Sequence, residues 1–108
     1  YAEQDERIRL YQNGQNLGQF PNRNKAAEYA RGKYLKYLDS DDIIYPHGLE
    51  VMVNAMEQFP RAGLGLATDN YTSSKGYPVL ITSDETLDYH FFNKGILYAG
   101  PSAFITLK

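Results

Sequence analysis

"KYLKYLDSDDIIYP", Lys33 to Pro46, is the stretch whose reading decides the fold. Tyr34, Leu35, Tyr37 and Leu38 form a short β-compatible run that closes directly on Asp39, Asp41 and Asp42. Carboxylates this close repel one another, so either water bathes them or a cation neutralises them. Side chains two apart in extended chain point to the same side, which lets Asp39 and Asp41 converge on one ion. Oxygen-only ligands suit magnesium, manganese or calcium, and two carboxylates leave coordination positions open for the phosphates of a ligand. The competing reading makes one Asp the cap of the next helix and the others solvated turn residues. Spacing alone does not decide between them. A calcium loop is excluded: Asp39, Asp41 and Glu50 fit its first, third and twelfth positions, but Ile43 replaces a ligand, Ile44 the turn glycine, and Pro46 falls inside.

Working outward, "ERIRLYQ" (Glu6 to Gln12) alternates and reads as a strand, and "NGQNLG" (Asn13 to Gly18) is loop chemistry. "PNRNKAAEYARGK" reads as a helix capped by Asn22 or Asn24 and stopped by Gly32. After Pro46, "HGLEVMVNAMEQF" sets Leu49, Val53, Met56 and Phe59 at helical spacing until Pro60. "GLGLAT" and "YPVLIT" are strand candidates around the loop "DNYTSSKG", and "SDETLDYHFFNKG" is a short helix with Ser83 as its cap. "ILYAGPSAFITLK" gives a loop over Ala99 to Ser102 and a last strand. The order β-α-β-α-β-β-α-β predicts an α/β domain with a mainly parallel sheet flanked by helices.

The totals narrow the function classes. A chain of 108 residues is about one domain, and 43% hydrophobic residues supply a core. Ten tyrosines and no tryptophan place many rings at the core boundary with their hydroxyls outward. A net charge of −2 argues against a nucleic-acid partner. With no cysteine there is no disulfide, thiolate metal site or catalytic thiol. No apolar run is long enough to span a membrane, and no signal peptide is visible. The chain opens without methionine, as a processed chain or one beginning inside a larger protein does.

"NLGQFPNRNKAAEYARGKYLKYLDSDD", Asn16 to Asp42, resembles the family 2 glycosyltransferases of the GT-A fold. The resemblance rests on the Asn-x-Gly loop, the Arg-Asn entering an Ala-rich helix, and the Gly-Lys-Tyr before a strand. That strand closes on an Asp-x-Asp motif with a proline a few residues beyond. It covers Asp5 to Pro60, and "GPSAFITLK" resembles the acceptor-side strand of many members. It implies transfer of a sugar, with inversion, from a nucleotide-diphosphate donor, UDP-linked by preference, to a glycan or lipid-linked hydroxyl. It further implies a divalent metal (manganese or magnesium) and a part in bacterial polysaccharide biosynthesis. The implied location is the cytoplasm, at the inner membrane face. Carried over by position, Asp39 lies near the ribose or sugar, Asp41 ligates the metal, Asp39 assists it, and Asp42 supports them. Arg23, beside Asn24 at the helix entrance, either faces the nucleotide or its phosphates together with Asn24 or is an ordinary solvated arginine. Residues 1–60 would be the nucleotide-sugar and metal half of one incomplete domain, and 61–108 the start of its acceptor half.

Two family features are not found. The first strand with its acidic segment would precede Tyr1, and the catalytic base is expected after Lys108; Glu85 and Asp88 come too early to match it. The expectation is a partial GT-A fold lacking its first strand, inactive alone and self-associating through an exposed sheet edge. His47, His90 and Asp69 are weaker candidates, each more ordinarily a surface, capping or packed residue. "GLGLAT" is no dinucleotide fingerprint, and Ser102 has no His–Asp pattern for a nucleophile. Alternatives are a non-catalytic nucleotide-sugar-binding module and a structural α/β module whose carboxylates are solvated.

Overall fold

A computed structural model describes residues 1–67 and 78–108. The chain divides into two compact units, Tyr1–Arg31 and Gly32–Lys108.

In the first unit, residues 6–12 are not a strand. Their alternation is suitable, but a strand exists only where a neighbouring strand takes up its N–H and C=O groups. Here the Arg7 N–H donates to Asp5 Oδ1 and the Ile8 N–H to the Asp5 carbonyl, each at 3.0 Å, so Asp5 turns the chain instead. Helix α1 spans Gln19–Tyr29 and begins three residues before the first expected asparagine cap. Asn16 explains this: its Oδ1 accepts from the Gly18 N–H at 2.8 Å, turning the chain at Gly18, where φ is +76°. Such a φ favours glycine over any residue with a Cβ. Gly18 is thus the cap residue, and Asn22 is free for a different bond, its Oδ1 accepting from Asn13 Nδ2 at 2.7 Å. Pro21 falls in the first turn, where its missing N–H costs nothing. Tyr11 stacks on Tyr29, with ring centroids 4.1 Å apart.

The second unit contains β1 (Tyr34–Lys36), α2 (Gly48–Gln58), β2 (Leu64–Leu66), α3 (Ser83–Phe92) and β3 (Phe104–Leu107), the last preceded by a 3₁₀ turn at Pro101–Ala103. The strand order is β1-β3-β2, with Tyr34 opposite Leu107 on one side and Gly65 opposite Ile105 on the other. Both pairings are antiparallel, which corrects the expected mainly parallel sheet. β1 and β2, joined through α2, do run in the same direction. However, β3 enters between them and takes all the described ladder bonds. Helix-strand alternation fixes direction across a crossover; it does not say which strand fills the gap.

Among the described residues, Met56, Ile96 and Ile105 are the buried hydrophobic ones. α2 forms where its apolar spacing predicts, and Met56 from it lies over Gly65 of β2 beside Ile105 of β3. The end of α2 is tied to β1: Lys33 Nζ pairs with Glu57 Oε1 at 2.6 Å, and the Tyr34 hydroxyl donates to the same carboxylate at 2.9 Å. Thr82, one residue before the expected Ser83, caps α3. Its Oγ1 accepts from the Glu85 N–H, while Glu85 Oε2 accepts from the Thr82 N–H at 2.7 Å. The expected strand "YPVLIT" is not one over residues 78–82. Its first residue, the loop "DNYTSSKG" and candidate Asp69 lie outside the described residues.

Candidate functional site

β1 ends at Lys36, and the chain turns before it has presented its carboxylates. The Asp42 N–H donates to the Asp39 carbonyl at 3.1 Å, closing a four-residue turn over Asp39–Asp42. Strand alternation therefore does not govern Asp39 and Asp41; the turn itself sets their positions. Asp39 is half-buried, whereas Asp41 and Asp42 are exposed.

Two groups from elsewhere in the unit fasten this turn. Ser102, in the 3₁₀ turn that leads into β3, offers its Oγ to the Asp39 N–H at 3.0 Å. Lys36 reaches the other way: its half-buried ammonium donates to the Tyr37 carbonyl at 3.1 Å and to the Ser102 carbonyl. Burial pushes the Lys36 pKa below the usual lysine value, and the opposing charges of Asp42 and then Asp39 partly restore it. A protein cation thus answers part of the repulsion among the carboxylates. The Ala103 carbonyl accepts from the Ala67 N–H at 3.0 Å, so the same 3₁₀ turn also holds the end of β2.

The fit to a divalent cation follows from the donor set. Among the described residues, no group of three or more His, Cys, Asp or Glu side chains is arranged around one point. Asp39 and Asp41, hard oxygen donors on one turn, suit an open magnesium or manganese site completed by phosphate oxygens and water, not a closed cage. Exposure of Asp41 is compatible with that use.

Arg23 and Asn24 belong to α1 in the first unit, and Asp39, Asp41 and Asp42 to the second. Arg23 is half-buried; with the Gln19 amide turned to face it, Oε1 accepts from both Nη1 and Nη2 at 3.2 Å. Asn24 is exposed. A cavity of about 720 Å³ in the first unit is lined by Arg9, Tyr11, Asn22, Lys25 and Tyr29 among others, and neither Arg23 nor Asn24 lines it. His47 precedes α2 without a side-chain cap bond and stacks on Tyr45 at 5.9 Å. His90 is a packing residue: Nδ1 accepts from the Leu97 N–H at 3.2 Å, and its ring meets Tyr98 at 4.6 Å. Sequence reasoning set Ser102 aside as a failed nucleophile and missed its bond to Asp39. Nothing local in "GPSAF" marks a partner 63 residues away.

These features define a chain of helices and strands that presents a turn bearing three carboxylates just beyond the carboxyl end of β1. Residues 1–105 match the family model of Glycosyl transferase family 2, and the chain belongs to that family. It is 47% identical over 57 residues to an uncharacterized glycosyltransferase of Methanocaldococcus jannaschii, covering 53% of this chain and 20% of that protein. It is 33% identical over 90 residues to an uncharacterized glycosyltransferase of Haemophilus influenzae, covering 81% of this chain and 35% of that protein. An uncharacterized protein of Sinorhizobium fredii is 31% identical over 101 residues, covering 91% of this chain and 10% of that protein. The chain therefore spans at most 35% of the length of these relatives. No solved structure matches significantly. Among the described residues no helix is long and apolar enough to cross a membrane.

Proposed function

We propose that the chain is the donor-binding part of an inverting glycosyltransferase that takes a nucleotide-diphosphate sugar, UDP-linked by preference, and a divalent cation. The acceptor is a glycan or lipid-linked hydroxyl at the inner membrane face. The observation that carries this reading is the Asp39–Asp42 turn beyond the end of β1, with Asp41 exposed, in a chain of glycosyl transferase family 2. Asp41 is the principal metal ligand, Asp39 assists it beside the ribose or sugar, and Asp42 supports the turn. Arg23 and Asn24 bind the nucleotide or its phosphates. The cation, when bound, neutralises the charge that develops on the departing nucleoside diphosphate. Glu85 is engaged in the cap of α3, so it is a poor base for an acceptor hydroxyl. The 108-residue chain is therefore expected to bind donor without turning it over.

Thermal unfolding with UDP and manganese tests this. A ligand that binds only the folded state stabilises it by about 2.7 kcal/mol at a hundredfold excess over Kd. The shift should appear with both components and vanish in Asp41→Ala. The competing structural reading draws on Lys36, which already neutralises part of the turn, and it requires no shift at all. Robust sugar transfer by the chain alone would overturn the assignment of a binding part.

A further inference from the structure

We propose that Ser102 is a positioning residue: its hydroxyl fixes the Asp39–Asp42 turn and thereby sets how strongly that turn holds a cation. This rests on the proposed metal role of the turn. Asp39 leaves β1 after the last ladder bond, so the sheet no longer holds its backbone. Two bonds then define where the turn begins: the closing bond from the Asp42 N–H, and the bond from the Asp39 N–H to Ser102 Oγ at 3.0 Å. The first shapes the turn, and the second attaches the Asp39 amide to the 3₁₀ turn that leads into β3.

Ser102 is itself well held. Pro101 opens its 3₁₀ turn, the Ala103 N–H donates to the Gly100 carbonyl at 2.9 Å, and Ala103 continues directly into β3. Lys36 donates to the Ser102 carbonyl, while the Ala67 N–H donates to the Ala103 carbonyl. One three-residue turn therefore gathers the ends of β1 and β2 and places a hydroxyl under the first carboxylate residue. A metal ligand set of two side chains loses affinity steeply when either is loosely held, because binding must then order it. Ser102 removes that cost by ordering Asp39 beforehand. It contacts neither metal nor donor in this role.

The test compares Ser102→Ala and Ser102→Thr with the native chain, using amide hydrogen exchange without metal and manganese titration by paramagnetic broadening. In Ser102→Ala the Asp39 amide should exchange about tenfold faster, equivalent to about 1.4 kcal/mol, while the Ile105 amide in β3 keeps its protection. Manganese affinity should fall severalfold, and Ser102→Thr, which keeps the hydroxyl, should restore both. An unchanged Asp39 exchange rate in Ser102→Ala overturns the proposal, as does a loss of affinity that threonine fails to restore. If the native chain takes up no manganese, the proposed function falls and so does the cation half of this inference. The exchange result still decides whether Ser102 holds the turn.

Discussion

Gly65→Ala probes the packing on which the acidic turn is mounted. Gly65 sits in β2 directly opposite Ile105, on the face covered by α2. A methyl group there would stand 2.8 Å from Ile105 Cγ2 and 2.9 Å from Met56 Sδ. Carbon atoms settle at about 3.5–4.0 Å, so the Ile105 contact is too close by at least about 0.7 Å. The two neighbours yield differently. Met56 is unbranched and can swing its thioether aside. Ile105 is β-branched, has one comfortable rotamer and is only 3% exposed, so it moves only with β3. Overpacking of this kind costs about 1–3 kcal/mol. Alanine returns up to about 1 kcal/mol by restricting the unfolded chain. The net expectation is a loss of about 1–2 kcal/mol, or roughly 5–15 °C in Tm for a domain of this size. Urea and thermal unfolding followed by circular dichroism measure it. The double variant Gly65→Ala/Met56→Ala supplies a second reading: Met56→Ala alone costs about 2–5 kcal/mol, but it vacates one side of the new methyl. The pair should then be less destabilised than the sum of the singles by about 0.5 kcal/mol or more. A Gly65→Ala chain as stable as the native one, or strictly additive singles, would refute the contact of α2 with β2 through this position.

Two further outcomes follow from the same contacts. The Lys33 ammonium first, and the Tyr34 hydroxyl second, hold the Glu57 carboxyl below its usual 4.5, and Glu57 chiefly raises Lys33 above its usual 10.5. The stabilisation from Glu57 is present above pH 4.5 and lost as pH falls through its lower folded value; that from Lys33 is present below pH 10.5 and lost as pH rises through its higher one. Glu57→Gln should flatten both limbs of the urea midpoint against pH, slightly and only at low salt because the pair is exposed; superimposable profiles would refute it. Thr82→Ala removes the hydroxyl that accepts from the Glu85 N–H and should cost about 1 kcal/mol, with faster exchange in the first turn of α3. Thr82→Ser should behave as native, and a loss of equal size there would show that the hydroxyl is not the cause.

Much of the second unit is legible in its residues because local rules and tertiary packing agree there. Leu49, Val53, Met56 and Phe59 carry one helical period, and α2 forms over Gly48–Gln58 with Met56 buried. Lys33 to Asp39 and the last residues likewise contain β1 and β3. The cap of α3 was legible too: Thr82 and Glu85 have the capping-box spacing, a stronger signal than a lone Ser83. Gly18 prevailed over Asn22 because a turn already set by Asn16 left the chain in a left-handed conformation before the first helical residue. Residues 6–12 show the limit of alternation, which describes how a strand would face and not whether it has a neighbour. Strand order and the Ser102–Asp39 bond were illegible for the same reason. Each joins segments far apart in the chain, and no local pattern at either end specifies the other. The carboxylates of the candidate site could be read off directly; what holds them could not.

The central place of β3 also bears on how the chain assembles. Its partners lie far back: Tyr34 pairs with Leu107, and Gly65 with Ile105. On a ribosome both flanking strands emerge long before the strand that joins them, and neither has a described partner until then. The sheet is thus a pairing of high contact order, slow to nucleate because closing these loops costs entropy before any ladder bond is gained. Helix α2 can form early from its own sequence, but the Asp39–Asp42 turn cannot take its final position until Ser102 arrives. The time at which this protein first presents an ordered acidic turn is set by the synthesis and docking of residues 101–107.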